Sequence, residues 1–198
     1  ATVNEIPDAT LNSYGYLLLT SADGLTSVST YGSAIAVDGF SISNGGEELV
    51  IYDSLYRIIS AVSFTDEWYR DSYKKNGGWS LEQIDPANPC GEALNWKASN
   101  SITGGTPAAI NSAYVQNSDA IAPQLVRANL LDNHTLQVYF SETIDSVYLQ
   151  NTINFIIDNS IGNPLTASPV APFYNSVILE FYPDAIAGNI YNITVLDT

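Results

Sequence analysis

Apolar and polar residues alternate with period two over most of the second half of this chain. Leu136, Val138 and Phe140 alternate with Gln137, Tyr139 and Ser141, and Val177, Leu179 and Phe181 with Glu180 and Tyr182. Tyr191, Ile193 and Val195 repeat the rhythm at the C-terminal end. A strand sends successive side chains to opposite faces, so this pattern describes strands with one face buried and the other in water. Turn-forming groups such as Asp132-Asn133-His134 and Ala187-Gly188-Asn189 punctuate the runs. Strands of this kind between regular turns are the sequence mark of an antiparallel sandwich. No amphipathic helical stretch of useful length interrupts them, and the fold class expected is all-β.

The first half reads as β-rich too, with different punctuation. Tyr16 to Thr20 predicts a buried strand, and Ser21 to Gly39 predicts loop, broken by Gly24, Gly32 and Gly39. Ser43-Asn44-Gly45-Gly46 is a strong turn that launches Glu48 to Tyr52. Asp53-Ser54 turns the chain back into Tyr56 to Phe64, which makes a hairpin. The segment Asp66–Lys75, charged and aromatic, predicts a surface excursion without a helix. From Gly77 to Ser112 there is almost no periodicity, yet Trp79, Trp96, Pro86, Pro89, Pro107 and the single Cys90 all lie there. Disordered linkers carry few aromatics, so this stretch predicts an ordered closing loop between two β-rich parts. Tyr114 to Pro123 then reads as a linker.

The net charge of −15, with only 6 Lys and Arg among 198 residues, points away from nucleic acid, which needs clustered basic side chains. An anionic membrane surface is disfavoured for the same reason, and no apolar run reaches the length of a transmembrane helix. One cysteine cannot close an internal disulfide, so Cys90 is either a structural thiol or half of a pair with a cysteine outside this segment. Low Lys with abundant Asn, Thr and Tyr suits a secreted or cell-surface setting.

No catalytic constellation emerges. A hydrolase triad needs a histidine to carry the proton, and the single His134 lies in a polar turn. The acids Glu47, Glu48, Asp66, Glu67 and Asp71 could supply a glycosidase pair only if two were held about 5–10 Å apart in a cleft; adjacent acids at turns are usually solvated. No cofactor is expected. Calcium is the one cation with oxygen donors to hand, through Asp85 with Asn88 or through Asp145, without the spacing of a calcium-binding loop. Trp68, Tyr73 and Trp79 are the candidate ligand-binding residues, as a platform on which sugar rings could stack. Against that, Trp79 and Trp96 read as structural anchors that pin the irregular loop onto the sandwich edge, and Cys90 as a further structural anchor.

The loop's wording, GGWSLEQIDP, NPCGEALNWKAS and GGTPAAINS, with IPDATLNSYGYLLLTS and FSISNGGEELVIYDSLYRIISAVSFTDEW before it, resembles the closing part of bacterial lamin tail domains. That resemblance covers about residues 6–113 and implies an Ig-like β-sandwich, here residues 1–116. The family's further opening strands are not found after Asn4-Glu5-Ile6, so the expectation is a chain that begins inside the domain. A sandwich without those strands would have an open edge and could form an edge-strand dimer. After a linker at 117–123, residues 124–198 resemble a bacterial Ig-like domain of the surface-layer type, on the marks LQVYFSETID, Asn175–Leu179 and Gly188–Val195. Together the resemblances imply a non-catalytic module of a multidomain envelope protein, spacing or tethering other domains of its parent or cell-envelope components. The alternative from a different class is a carbohydrate-binding module.

Overall fold

A computed structural model describes residues 3–117 and 119–196. The protein is built mostly of strands, with few and short helices and several antiparallel sheets, as an all-β reading expects. The chain folds into two compact units, Ala1–Leu49 with Ser63–Ser118, and Val50–Val62 with Asp119–Thr198. No helix among the described residues is long and apolar enough to cross a membrane.

The first unit opens with β1 (Leu18–Thr20), α1 (Leu25–Val28) and β2 (Ala34–Ala36). β1 and β2 are parallel, with Leu19 opposite Ile35. This corrects the expectation of loop throughout 21–39. Parallel neighbours need a crossover of about a dozen residues, commonly helical, and the small residues of this stretch provide one that is short and tightly packed. A Cβ on Gly24 would lie 2.3 Å from the hydroxyl of buried Thr20, so only glycine fits where α1 begins. Leu18 and Leu19 are only half-buried, because this sheet has two strands and no broad facing layer.

The hairpin that follows, β3 (Gly46–Tyr52) and β4 (Ile58–Thr65), has its outer part, Val50–Val62, in the second unit. Its turn is organised by Asp53, whose carboxylate accepts hydrogen bonds from the backbone N–H groups of Leu55 and Arg57 and from the Arg57 guanidinium. Tyr56 is not the first residue of the strand, as the pattern suggests. It stands in the turn at φ 60° with its ring exposed, and the apolar face of β4 starts at Ile58. Asp66–Lys75 contains two single 3-10 turns, at Asp66–Tyr69 and, running one residue further, at Lys74–Asn76. The Gly77–Ser112 stretch is ordered around a small antiparallel pair, β5 (Leu81–Gln83) and β6 (Trp96–Ala98), with Glu82 opposite Lys97.

The second unit carries the larger apolar core. Its main sheet has the order β10 (Thr166–Pro169), β11 (Ser176–Glu180), β8 (Thr135–Phe140), β7 (Leu125–Leu130), all antiparallel. β8 alternates half-buried and buried residues along its whole length, with Leu136, Val138 and Phe140 inward. Opposite lie α2 (Ser146–Gln150) and the antiparallel pair β9 (Phe155–Ile157) and β12 (Ile193–Val195). Asp145 starts α2 by accepting a hydrogen bond from the N–H of Val147 at 2.7 Å, an N-cap that satisfies one of the helix's open donors. Phe155, Leu149, Val138, Val177 and Leu179 are fully buried between these layers. Burial of apolar surface on this scale is the main stabilising contribution to the unit.

Candidate functional site

The sequence candidates Trp68, Tyr73, Trp79 and Trp96 all fall in the first unit, where the Asp66–Asn76 segment meets the Gly77–Ser112 stretch. Trp68 sits in the first 3-10 turn, half-buried, with its ring centroid 6.3 Å from that of Trp96 and the planes tilted by 42°. That separation and tilt belong to the favourable range for aromatic pairs. Trp79 is half-buried, and one face of its ring is covered by the Lys74 ammonium, 4.5 Å from the centroid. The same ammonium donates to the Ser99 carbonyl at 2.6 Å. Tyr69 donates its hydroxyl to the Trp79 carbonyl at 3.0 Å, and the Arg70 guanidinium donates to the Ala93 carbonyl. The long side chains of the excursion therefore clamp it to the loop.

Tyr73 differs from the two tryptophans, being 76% exposed. It is presented by Asp71, whose carboxylate accepts from the N–H groups of Tyr73 and Lys74. Those two hydrogen bonds, the one from Lys74 foremost, hold the Asp71 carboxyl below its ordinary pKa. Next to it is a shallow pocket of about 140 Å³ lined by Asp66, Glu67, Arg70, Asp71, Ser72 and Lys75. The Lys75 ammonium lies 2.8 Å from Glu67 and 3.6 Å from Asp66, so the charges in this pocket largely answer one another. The hydrogen bond that the Lys75 ammonium donates to Glu67 is the chief reason the Lys75 pKa is raised.

Beneath the clamp lies a feature the sequence reading missed. Glu82, in the middle of β5, is only 4% exposed. Its Oε1 accepts from the hydroxyls of Ser80 (3.2 Å) and Thr106 (2.9 Å), and its Oε2 from the Ser112 hydroxyl (2.8 Å) and the Ala113 N–H (2.9 Å). Burial is the largest single influence on this carboxyl and works against its charge. The donors together outweigh it, the Ser112 hydroxyl first, and the pKa ends below the ordinary glutamate value. Glu82 is thus a buried anion neutralised by dipoles. In the sequence Ser80, Ser99, Thr106 and Ser112 are spread along the Gly77–Ser112 stretch, and nothing local says that their hydroxyls converge on one strand acid.

A second polar knot surrounds Asn95, which is 1% exposed. Its amide donates to the carbonyls of Asp85 (2.7 Å) and Asn88 (2.8 Å), and its Oδ1 accepts from the Asp85 N–H (2.9 Å) and the Asn117 amide (3.2 Å). Asp85 and Asn88, the calcium candidates, belong to this knot. The Asp85 carboxylate accepts from the N–H groups of Ala87 and Asn117, and the Asn88 amide donates to the Asn117 carbonyl. Asp145, the other calcium candidate, caps α2. Among the described residues no three of His, Cys, Asp and Glu come together as a metal-binding group.

The remaining candidates are dispersed. Cys90 is half-buried in the turn before Gly91. His134 lies in the exposed β7–β8 turn, 3.3 Å from the Asp132 carboxylate. Glu47 accepts a hydrogen bond from the Ser43 N–H at 2.8 Å, closing the turn before β3, and Glu48 is exposed. Aromatic, cationic and anionic groups of the site engage one another and the backbone, and of the ring candidates Tyr73 is the exposed one. No family model matches this chain, and no match was found among curated proteins or solved structures.

Proposed function

We propose that this chain is a non-catalytic structural and interaction module of a secreted or cell-surface bacterial multidomain protein, spacing or tethering the domains beside it. In this reading the first unit is a lamin-tail-like sandwich and the second an Ig-like sandwich of the surface-layer type, in tandem. The observation that carries it is the engagement of the reactive groups of the first unit. Glu82 is enclosed by four donors, Lys74 is held between the Trp79 ring and the Ser99 carbonyl, and Trp68 is packed on Trp96. Groups fixed in this way resist deformation and leave little free to bind or turn over a substrate. A two-layer unit with a large apolar core is also a suitable mechanical spacer.

The exposure of Tyr73 favours one other reading, a carbohydrate-binding module in which Tyr73 provides the stacking face, with Trp68 and Trp79 as the further candidates. Affinity electrophoresis through gels containing soluble polysaccharides separates the two, together with a panel of chromogenic glycoside and ester substrates. A spacer migrates unretarded in every gel and leaves every substrate intact. Retardation that disappears in Tyr73→Ala would transfer the chain to the carbohydrate class. Turnover that disappears in Glu82→Gln would make it an enzyme.

A further inference from the structure

The main sheet of the second unit is wider than the layer that faces it. α2 packs against β10, and β9 supplies the fully buried Phe155 and nearly buried Ile157. β12 brings Ile193 and Val195, which are only partly buried against the core. Among the described residues nothing in that layer buries β7, all six of whose residues are exposed. Its inward-facing positions are those opposite the core residues of β8: Leu125 opposite Phe140, Ala128 opposite Val138 and Leu130 opposite Leu136. Leu125 is nonetheless 39% exposed and Leu130 54%.

β7 is also an open edge. The Leu131 N–H donates to the Thr135 carbonyl, and the Phe140 N–H points the other way, to Asn175. With period two, residues 127, 129 and 131 turn their backbone groups to β8, and Ala128 and Leu130 turn theirs outward. Among the described residues no backbone hydrogen bond reaches β7 from its outer side. Two other margins of this unit are better closed. β10 ends in Pro169, and the β9 margin is occupied by the Asn163 amide on the Phe155 carbonyl (2.7 Å) and by the bridge from Ile157 to Gly162.

We propose that β7 pairs antiparallel with β7 of a second copy of this chain, about a two-fold axis through Asn129, so that the two main sheets become one. The strand is complementary to itself in this register. The outward N–H and C=O groups of Ala128 and Leu130 meet those of Leu130 and Ala128 of the second copy. On the inner face the small Ala128 lies opposite the large Leu130, twice. On the outer face the two Asn129 amides meet at a non-hydrogen-bonded position, where side chains are closest. Arg127, the single charge of β7, falls opposite Leu131, so no like charges meet. The absence of carboxylates from β7 matters in a chain of net charge −15, since most other surfaces would repel a second copy. The β-bulge between Leu125 and Arg127 ends the regular run, so the contact is short and the dimer builds up with concentration.

Sedimentation velocity over a concentration series, on the full chain, tests this through Asn129, which is exposed and faces away from the core. The wild type is expected to move from monomer towards dimer as concentration rises. Asn129→Arg and Asn129→Asp each set two like charges face to face and are expected to weaken dimerisation at least tenfold. Mixing the two variants in equal amounts sets opposite charges face to face and is expected to restore the dimer as a heterodimer. A wild type that stays monomeric throughout the series overturns the proposal. So does a dimer indifferent to both variants, or a mixture that stays monomeric when each variant alone keeps the wild-type far-UV spectrum.

Discussion

The two units keep their interiors dry by opposite means. The second unit buries Leu136, Val138, Phe140, Leu149, Phe155, Ile157, Ile161, Val177, Leu179 and Phe181 around one centre. In the first, the buried apolar residues are Val37, Ile84, Ala98 and Ala113, and they share the interior with Thr20, Glu82, Asp85, Asn88, Asn95 and Ser99. Apolar packing is non-directional and tolerates modest change of shape, whereas a buried polar network depends on every donor and acceptor being met. The comparison teaches that an irregular loop can form a specific interior without a large apolar core, provided its polar groups answer one another. Such an interior is sensitive to the loss of single atoms and to pH.

The strongest test of the apolar side is Phe155→Ala. Phe155 is fully buried, and truncating a buried phenylalanine is expected to destabilise the second unit by about 3–5 kcal/mol. Denaturant titration followed by far-UV circular dichroism reads this directly. A loss below about 1 kcal/mol would mean that the core is not organised around that ring.

The polar side is tested by Glu82→Gln and by acid. Because the Glu82 pKa is lowered in the folded state, its contribution is complete above the unfolded glutamate value of about 4.3 and is lost as pH falls through the lower folded value. The first unit should therefore weaken progressively below about pH 4, and the variant should show a flatter acid limb. At neutral pH the variant is expected to lose roughly 1–3 kcal/mol, since an amide cannot accept all four hydrogen bonds. All three tryptophans lie in this unit, so intrinsic tryptophan fluorescence follows it alone. Identical acid limbs in parent and variant would remove Glu82 from the centre of the network.

An effect smaller than that of Phe155→Ala is expected for Trp96→Ala. Full burial, as the sequence suggests, would predict a loss of about 3–5 kcal/mol. Trp96 is half-buried and packed against Trp68, which lowers the expectation to about 2 kcal/mol, part of it from the aromatic pair. Quenching of Trp68 by added iodide should rise in this variant as its covering ring is lost. Unchanged quenching would detach the two indoles from one another.

Legibility in the sequence followed the same division. β8 could be read residue by residue, because Leu136, Val138 and Phe140 alternate and the turn before them is rich in Asp and Asn. The β3–β4 hairpin was legible to within two residues, the error lying at Tyr56, whose positive φ no hydrophobic pattern records. α1 and β2 were not legible, since Leu25–Val28 and Ala34–Ala36 are too short to show a period. Their parallel pairing with β1 depends on Gly24 fitting against Thr20. Of the candidate site, the ordered character of the Gly77–Ser112 stretch could be inferred from its tryptophans, but its centre, Glu82, could not. An acid between Leu81 and Gln83 reads as solvated until hydroxyls from up to 30 residues away close over it.

What the amino-acid sequence determined by itself was the class: strands, short turns, an acidic exterior and an ordered loop. These follow from local chemistry, namely side-chain alternation, turn propensity and charge. What only the tertiary structure decided was which polar groups go inside and which apolar strand stays out. Glu82 is buried because four donors converge on it, and β7 is exposed because the layer facing its sheet ends before reaching it. Both outcomes depend on distances between residues far apart in the chain, and no local pattern carries that information.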